Sequence, residues 1–353
     1  MRHCWRGHPE GRARILVTGA GGNVGQGILK ALTAARIASW TVATDCEPAS
    51  AGLYAVDRGY AVPRADHHAF CDALCTIIAK EQVDLVLVGA DAETIHLARL
   101  RDKIETDTGA VVLVGDAEVV ERSHDKWLTA QWFTREQLRH PVTVRADDVA
   151  GRAALMESVE RLVVKPRCSY ASRGVFVSAD RHEIEAAADR IGADGIVQEY
   201  VGSDDQEFTG AVLCDRSGRV GASIVMKRDL LQGTSYRIQP VDDPELTRSL
   251  HAWATRYAVQ GPVNFQFRVT ADGPVCFEVN ARFSGTTGVR HLFGYNDAAL
   301  AVRHFLFDEP IEQTPIAPGM VMRLWDEMYV PGLDWKTAHA ARVVENGSPR
   351  MGR

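Results

Sequence analysis

The sequence predicts two architectures in succession: a doubly wound α/β domain, then an α+β sheet region. Three observations predict it. Strands and helices alternate over residues 13–116, as βαβ units require. From residue 207 onward, long strands come in a group with a single helix among them, the pattern of an antiparallel sheet. The chain has 353 residues, too many for one small core.

The first strand is Arg14-Ile15-Leu16-Val17-Thr18-Gly19, a short apolar run ending in glycine, as a buried parallel strand does. A glycine-rich turn covers 19–25, and a helix is expected over 24–35. A second strand, 40–44, is closed by Asp45. An amphipathic helix follows over 69–80, then a strand at 83–89, a helix at 95–104 and a strand at 110–114. Residues 123–139 read as a helix with Ser123 as N-cap. A strand at 161–166 stops at Pro166, a loop spans 167–174, and a strand covers 175–178. A helix at 182–191 leads to a strand at 195–201. Strands at 208–214, 220–227, 263–269 and 274–279 surround one helix, 244–258. The segment after about Pro310 is less regular, and no internal repeat or low-complexity tract is present.

Composition narrows the partners. Apolar residues make up 46%, charged residues 24%, and the net charge is −6. No Lys/Arg run provides a nucleic-acid footprint, so no nucleic-acid partner is expected. No apolar run approaches the ~20 residues of a membrane span, so no membrane partner is expected. Seven scattered cysteines without a C-x-x-C pair argue against a disulfide framework or zinc site and fit a reducing cytoplasm. Residues 1–12 are polar, lack the apolar stretch of a signal peptide, and read as a leader.

Three segments carry chemistry. In Phe277-Glu278-Val279-Asn280-Ala281-Arg282 the polar residues alternate, so Glu278, Asn280 and Arg282 share one face of a strand. The first two are hard oxygen ligands suited to Mg²⁺, and the guanidinium suits a phosphate. Gln266, in Asn264-Phe265-Gln266-Phe267, is a further oxygen ligand on a second strand. The plain alternative is the polar side of an edge strand. In Val163-Val164-Lys165-Pro166 a lysine ends an apolar strand before a loop, Arg167 to Gly174, whose backbone N–H groups suit phosphates. An exposed hairpin lysine is the alternative. In Ile196-Val197-Gln198-Glu199-Tyr200-Val201-Gly202 a strand breaks into a loop able to meet a purine edge, followed by Asp204-Asp205-Gln206-Glu207. A strand with an acidic turn is the alternative.

In this order the segments resemble the ATP-grasp superfamily, in particular its carbamoyl-phosphate-synthase-like, carboxylate–amine ligase branch, from about Ile15 to Phe305. The resemblance implies a Rossmann-like pre-ATP-grasp domain (13–116), a small subdomain (117–200), a large subdomain (201–315) and a C-terminal extension (316–353), with the nucleotide between two sheets. It implies ATP and Mg²⁺, two ions, with Mn²⁺ as a substitute. Lys126 and Lys165 would contact phosphates; Gln198, Glu199 and the backbone of Val201 would line the adenine pocket. Glu207 would bind the ribose, with Gln206 competing because the spacing is one residue long. Gln266, Glu278 and Asn280 would hold metal, and Arg282 would stabilise the transferring phosphoryl group. Lys227, Arg228 and Arg237 lie where relatives place substrate-binding cations, with surface charge as the even alternative. The loop after Lys165 departs from the family by carrying Arg167 and Arg173 in place of consecutive glycines. The implied reaction is ADP-forming: a small carboxylate becomes an acylphosphate and is coupled to an amine or other nucleophile, bicarbonate being among the acids open. Relatives are often homodimers.

The rival reading comes from Thr18-Gly19-Ala20-Gly21-Gly22-Asn23-Val24-Gly25, which follows a strand and opens a helix, with Asp45 ending the next strand. It resembles the dinucleotide fingerprint of NAD(P)-dependent short-chain dehydrogenases and sugar epimerases. Those enzymes need a tyrosine with a lysine four residues on, and none of the tyrosines from Tyr54 to Tyr329 has one. In ATP-grasp enzymes the equivalent turn faces the acceptor substrate, so Gly19 and Gly22 are expected to shape a pocket suited to a carboxylate or phosphate; a tight strand–helix turn with no ligand is the alternative. No Gly-Lys pair, H-E-x-x-H or G-x-S-x-G occurs, and the adjacent His67-His68 reads as a polar turn.

Overall fold

The computed structural model describes residues 11–37, 39–169, 173–324 and 326–345. Most of the expected leader, the middle of the 167–174 loop and the last residues of the expected C-terminal extension lie outside them. The first sheet is built from β1 (Ala13–Val17), α1 (Asn23–Ala35), β2 (Ser39–Asp45), α2 (Ala51–Tyr54), β3 (Arg58–Ala61), α3 (Phe70–Glu81), β4 (Leu85–Leu87), α4 (Asp91–Thr108) and β5 (Val111–Leu113). Its parallel strands run in the order β3-β2-β1-β4-β5. The order reverses between β1 and β4, which opens a crevice at their C-terminal ends. The glycine turn and the start of α4 both sit there.

A four-stranded antiparallel sheet follows: α5 (Ala117–His124), α6 (Lys126–Arg135), β6 (Thr143–Arg145), α7 (Val149–Ser158), β7 (Leu162–Pro166), β8 (Phe176–Ser178), α8 (Arg181–Ile191) and β9 (Gly195–Glu199), in strand order β6-β9-β7-β8. The large antiparallel sheet contains β10 (Glu207–Cys214), β11 (Val220–Leu231), β12 (Thr234–Pro240), β13 (Gly261–Thr270), β14 (Gly273–Asn280) and β15 (Val321–Met322), in the order β14-β13-β10-β11-β12-β15. Helices α9 (Pro244–Tyr257), α10 (Thr287–Arg290) and α11 (Asp297–Phe307) pack around it. The chain then returns through α12 (Trp335–Ala340) to β16 (Val343–Glu345), which adds antiparallel to β3.

The cores explain which parts move together. One apolar cluster joins Leu16, Val86 and Leu97 of the first domain to Trp132, Phe208, Trp253, Phe265 and Phe267 around the large sheet. The other face of the first sheet packs Ile15, Ile28 and Leu87 with Ala298, Val302 and Phe305 of α11. The four-stranded sheet has its own small core, Ala146, Leu155, Met156, Leu162, Val164, Ile184, Ala188 and Val197. No helix among the described residues is long and apolar enough to cross a membrane.

Several expected elements differ. The helix expected over 123–139 is two: Ser123 ends α5, and Asp125 caps α6 by accepting from the Trp127 N–H at 2.9 Å. The break lets Asp125 bridge to Cys168 and the Lys126 N–H donate to the Arg167 carbonyl at 2.9 Å. Strand β11 runs on to Leu231 rather than ending at 227, and turns through Gln232 and Gly233, both at positive φ, into the unforeseen β12. That is a tight two-residue hairpin. Strand β3 was also unforeseen, because Arg58-Gly59-Tyr60-Ala61 carries no apolar alternation. A side chain at Gly59 would lie 2.4 Å from the Leu53 carbonyl, so only glycine lets α2 close on it.

Candidate active site

Two chambers open on the face of the large sheet. The first, ≈ 560 Å³, lies between that sheet and the four-stranded one. Val163, Val175, Val177, Tyr200, Leu230 and Phe277 give it apolar walls, while Lys126, Lys165, Gln198, Glu199, Val201 and Glu207 line it with polar groups. The second, ≈ 890 Å³, lies between the large sheet and the crevice of the first domain, and includes Gly19, Gly22, Asp45, Asp91, Glu93, Arg173 and Arg282. Arg228, Gly233, Gln266 and Glu278 line both, so the chambers meet at the strand pair β13–β14. A small cavity of ≈ 30 Å³ beside this junction touches Lys126, Ser169, Glu278, Asn280 and Arg282.

The pleat of β13 and β14 builds the junction. Gln266 pairs with Glu278 and Asn264 with Asn280, which puts the oxygen-bearing side chains on one surface. The Gln266 amide donates to Glu278 Oε1 at 2.9 Å, and the Asn280 amide donates to the same oxygen at 3.0 Å. Arg282 donates from Nη2 to Asn280 Oδ1 at 3.1 Å and from Nε to Asp91 Oδ1 at 2.6 Å, across to the first domain. Burial pushes the Glu278 carboxyl up, but Lys126, the Asn280 amide, Lys165 and Arg228 outweigh it and hold it below the usual carboxylate range. An ionised carboxylate suits Mg²⁺, a hard cation, whereas the amide oxygens of Gln266 and Asn280 accept here from Arg228 and Arg282. No cluster of three His, Cys, Asp or Glu side chains able to hold a metal occurs among the described residues. One carboxylate is a weak metal site alone, which fits an ion that arrives with phosphates.

Lys165 ends β7 in the first chamber, buried, with its ammonium donating to Gln198 Oε1 at 2.7 Å. Burial, then the neighbouring Lys126, lower it to about 8. Lys126, also buried, donates to the Ser169 carbonyl at 2.8 Å and its hydroxyl at 3.2 Å, tying the start of α6 to the loop after β7. Arg167 in that loop faces Asp125, 2.5 Å from Nη2 to Oδ2, away from the chamber. The two lysines and Glu278 thus converge across more than a hundred residues of sequence.

Glu207 enters the first chamber, whereas Gln206 does not line it and donates to Asp205 at 3.3 Å. The Glu207 carboxylate takes Arg228 Nη2 at 2.7 Å and Arg268 Nη2 at 2.9 Å. Arg268 also donates to the Val201 carbonyl at 3.2 Å and lies over the Tyr200 ring at 4.3 Å. Sequence reasoning missed Arg268, although it shares the face of Gln266 on β13. It missed the roles of Ser169 and Asp91 as well, and local sequence holds no signal for either partnership.

The three expected substrate cations separate. Arg228 shares the β11 face of Ile224 and Met226 and reaches both chambers, and it also donates to Gln266 Oε1 at 2.7 Å. Lys227 has the opposite parity, with Val225, and lines neither chamber. Arg237 pairs with Asp229 at 2.9 Å, half-exposed, and lines neither.

The glycine turn departs from the anion-site expectation. Gly25 and Gly89 let α1 press against the strand tips: a side chain on Gly25 would lie 2.3 Å from the Gly19 carbonyl, and one on Gly89 2.2 Å from the Thr18 carbonyl. Gly19 and Gly22 do line the second chamber. The Gly21 N–H, however, already donates to Asp45 Oδ2 at 2.7 Å, so a carboxylate of the chain occupies the place of an incoming anion. The same contact obstructs a dinucleotide pyrophosphate, and the loop carrying Gly285 packs on Asn23 at the mouth of α1, where a side chain on Gly285 would come within 2.4 Å of the Asn23 amide.

Comparisons with known proteins agree with this fold. Residues 15–112 match the family model "PylC-like, N-terminal domain", and residues 193–328 match "ATP-grasp in the biosynthetic pathway with Ter operon". No curated protein sequence matches the chain. Among solved structures, N5-carboxyaminoimidazole synthetase from Staphylococcus aureus, complexed with ADP, superposes with a TM-score of 0.73 at 12% identity, covering 92% of this chain and 84% of that one. The biotin carboxylase domain of the 2-oxoglutarate carboxylase of Hydrogenobacter thermophilus, in complex with MgADP and bicarbonate, gives 0.66 at 15% identity over 87% and 73%. L-amino acid ligase from Bacillus licheniformis gives 0.62 at 18% identity over 85% and 75%. The fold and the order of the matched segments agree: residues 193–328 match an ATP-grasp family model, and the chain has the fold of the solved ATP-grasp enzymes on which it superposes.

Proposed function

We infer that the protein is an ATP-dependent, ADP-forming ligase that activates a carboxylate as an acylphosphate and couples it to an amine. One observation carries this reading: a nucleotide-sized chamber and a separate acceptor chamber meet at Glu278, Gln266 and Arg228. A triphosphate in the first chamber, held by Lys126 and Lys165, ends where the second begins. The apolar walls sandwich the base, Glu199 and Val201 meet its edge, Gln198 supports Lys165, and Glu207 receives the ribose. Gln266, Glu278 and Asn280 would hold Mg²⁺, which when bound neutralises charge on the phosphates.

The chemistry then runs at the junction. A carboxylate oxygen of the substrate attacks the γ-phosphorus, the bond to the β–γ bridging oxygen breaks, and ADP leaves with that electron pair. Arg282, held in place by Asp91 and Asn280, faces the transferring group and answers its charge. The amine then attacks the acyl carbon, the C–O bond to phosphate breaks, phosphate departs, and the amine's extra proton is lost. The chain supplies positioning and charge, which account for most of the acceleration in such transfers. The L-amino acid ligase similarity supports the same reaction class.

The test is a phosphate-release screen over pairs of small carboxylates, bicarbonate included, and amines. Glu278→Ala and Arg282→Ala are each expected to abolish release with the active pair. Retention of most activity by either variant would overturn the site assignment. Fluorescence enhancement of NADH on binding would favour the dinucleotide reading instead.

A further inference from the structure

One wall of the second chamber is acidic and incompletely satisfied. Glu93, in the first turn of α4, is 94% buried from solvent; Thr18 hydrogen-bonds its carboxyl, yet its Oε2 has no hydrogen-bond partner. The carboxylate of Asp45, at the end of β2, is buried beside it, and its two oxygens take only backbone N–H groups, from Gly21 at 2.7 Å and Glu47 at 2.8 Å. Both residues line the ≈ 890 Å³ chamber with Gly19, Gly89 and Ala90. A buried carboxylate oxygen in the wall of a cavity without a donor is costly unless a ligand supplies one. Three cations of the chamber have their own places. Arg282 is turned to Asp91, Arg228 to Glu207, and Arg64 is exposed at the rim beside Asp66.

We propose that Glu93 and Asp45 form a subsite for a protonated amine of the substrate, a recognition group remote from the atoms that react. This deepens, and rests on, the ligase reading. The subsite uses the tips of β1 and β2 and the face of α4 turned toward them, whereas Arg282 and Glu278 mark the reacting end. An ammonium offers three donors, one of which meets the open Glu93 oxygen, with both carboxylates supplying countercharge. A substrate anion at this end would face two buried carboxylates. The chamber therefore selects a cationic, amine-bearing small molecule and orients it with its charged end inward. Burial, with Asp45 adding to it, raises the Glu93 carboxyl to about 7 in the empty site, and a seated ammonium favours its ionised form.

The experiment is direct binding at pH 7.5 of four five-carbon probes: n-pentylamine, pentan-1-ol, pentanoate and 1,5-diaminopentane, with wild type, Glu93→Gln and the distant control Lys227→Ala. Glu93→Gln matches the shape of the protonated carboxyl, so it folds; circular dichroism checks this. The expected result is at least tenfold tighter binding of the two ammonium probes than of the alcohol or carboxylate. That preference is lost in Glu93→Gln and kept in Lys227→Ala. Equal binding of all probes, or a preference surviving in Glu93→Gln, overturns the subsite. ADP binding is measured in parallel. If the nucleotide fails to bind while the ammonium preference holds, the ligase reading falls and the subsite stands; the reverse result sinks the subsite alone.

Discussion

Glu93 shows what a single side chain costs the empty protein. Burial, with Asp45 adding to it, raises its carboxyl from 4.5 to about 7. Between those values the folded chain keeps a proton that the unfolded chain releases. The group is therefore neutral in its effect below pH 4.5, increasingly destabilising as pH rises through the window, and fully so above 7. The ceiling is roughly 3 kcal/mol from the size of such a shift. Glu93→Gln is expected to raise the urea midpoint at pH 8 and leave it nearly unchanged at pH 4.5; equal shifts at both would show that charge is not the cause. Lys165 has the opposite sign. Burial and Lys126 lower its ammonium to about 8, so above that pH a bound phosphate must draw a proton back. Without metal, ADP affinity is expected to fall roughly tenfold from pH 7 to 9, and Lys165→Arg, which stays charged, to flatten the slope. A wild-type profile flat across that range would remove Lys165 from the phosphate site.

At the level of elements, the site is two registered strands steadied by one helix start. Asp91 opens α4 and takes Arg282 Nε at 2.6 Å, fixing a guanidinium that β14 only delivers. Asp91→Ala is expected to lower kcat on the order of tenfold to a hundredfold with little change in KM for ATP, because misplacement acts on the transferring group and not on the bound nucleotide. A rise in KM with unchanged kcat would place Asp91 in nucleotide binding instead. The contrast also shows what the sequence could reveal. Alternation along Phe277-Glu278-Val279-Asn280-Ala281-Arg282 exposes a common face, and the alternating strands and helices of 13–116 expose a parallel sheet, because both follow from local period. Lys227 and Arg228 read as equals until the pleat divides them, although the apolar parity of Ile224 and Met226 already marked Arg228's side. The Asp91–Arg282 pair spans 191 positions and Arg268–Glu207 spans 61, and no local pattern encodes such contacts. The anion reading of the glycine turn failed for the same reason: the carboxylate that answers Gly21 comes from the next strand.

Across the whole molecule, the distribution of cores divides the chain into a rigid base and a cover. The first domain and the large sheet share one continuous apolar cluster, so they are expected to move as a body. The four-stranded sheet keeps a separate core of eight buried residues and meets the base across the nucleotide chamber. Both lips of that chamber expose apolar side chains: Val175 is 41% exposed beside β8, and Leu230 is 42% exposed near the β11–β12 turn. Closing the lips over a base removes this surface from water, at about 25 cal/mol for each Å², and strengthens every charge interaction inside. Hydrogen exchange with and without ADP and Mg²⁺ should therefore show slowing confined to residues 143–199 and the hairpin around 228–236. Strands β1, β4, β10 and β13 should exchange alike in both states. Leu230→Ser should weaken ADP binding several-fold without altering the protection of those four strands. Slowing spread evenly through the first sheet would contradict the division, because a base that tightens along with its cover does not act as a fixed platform for the junction at Glu278.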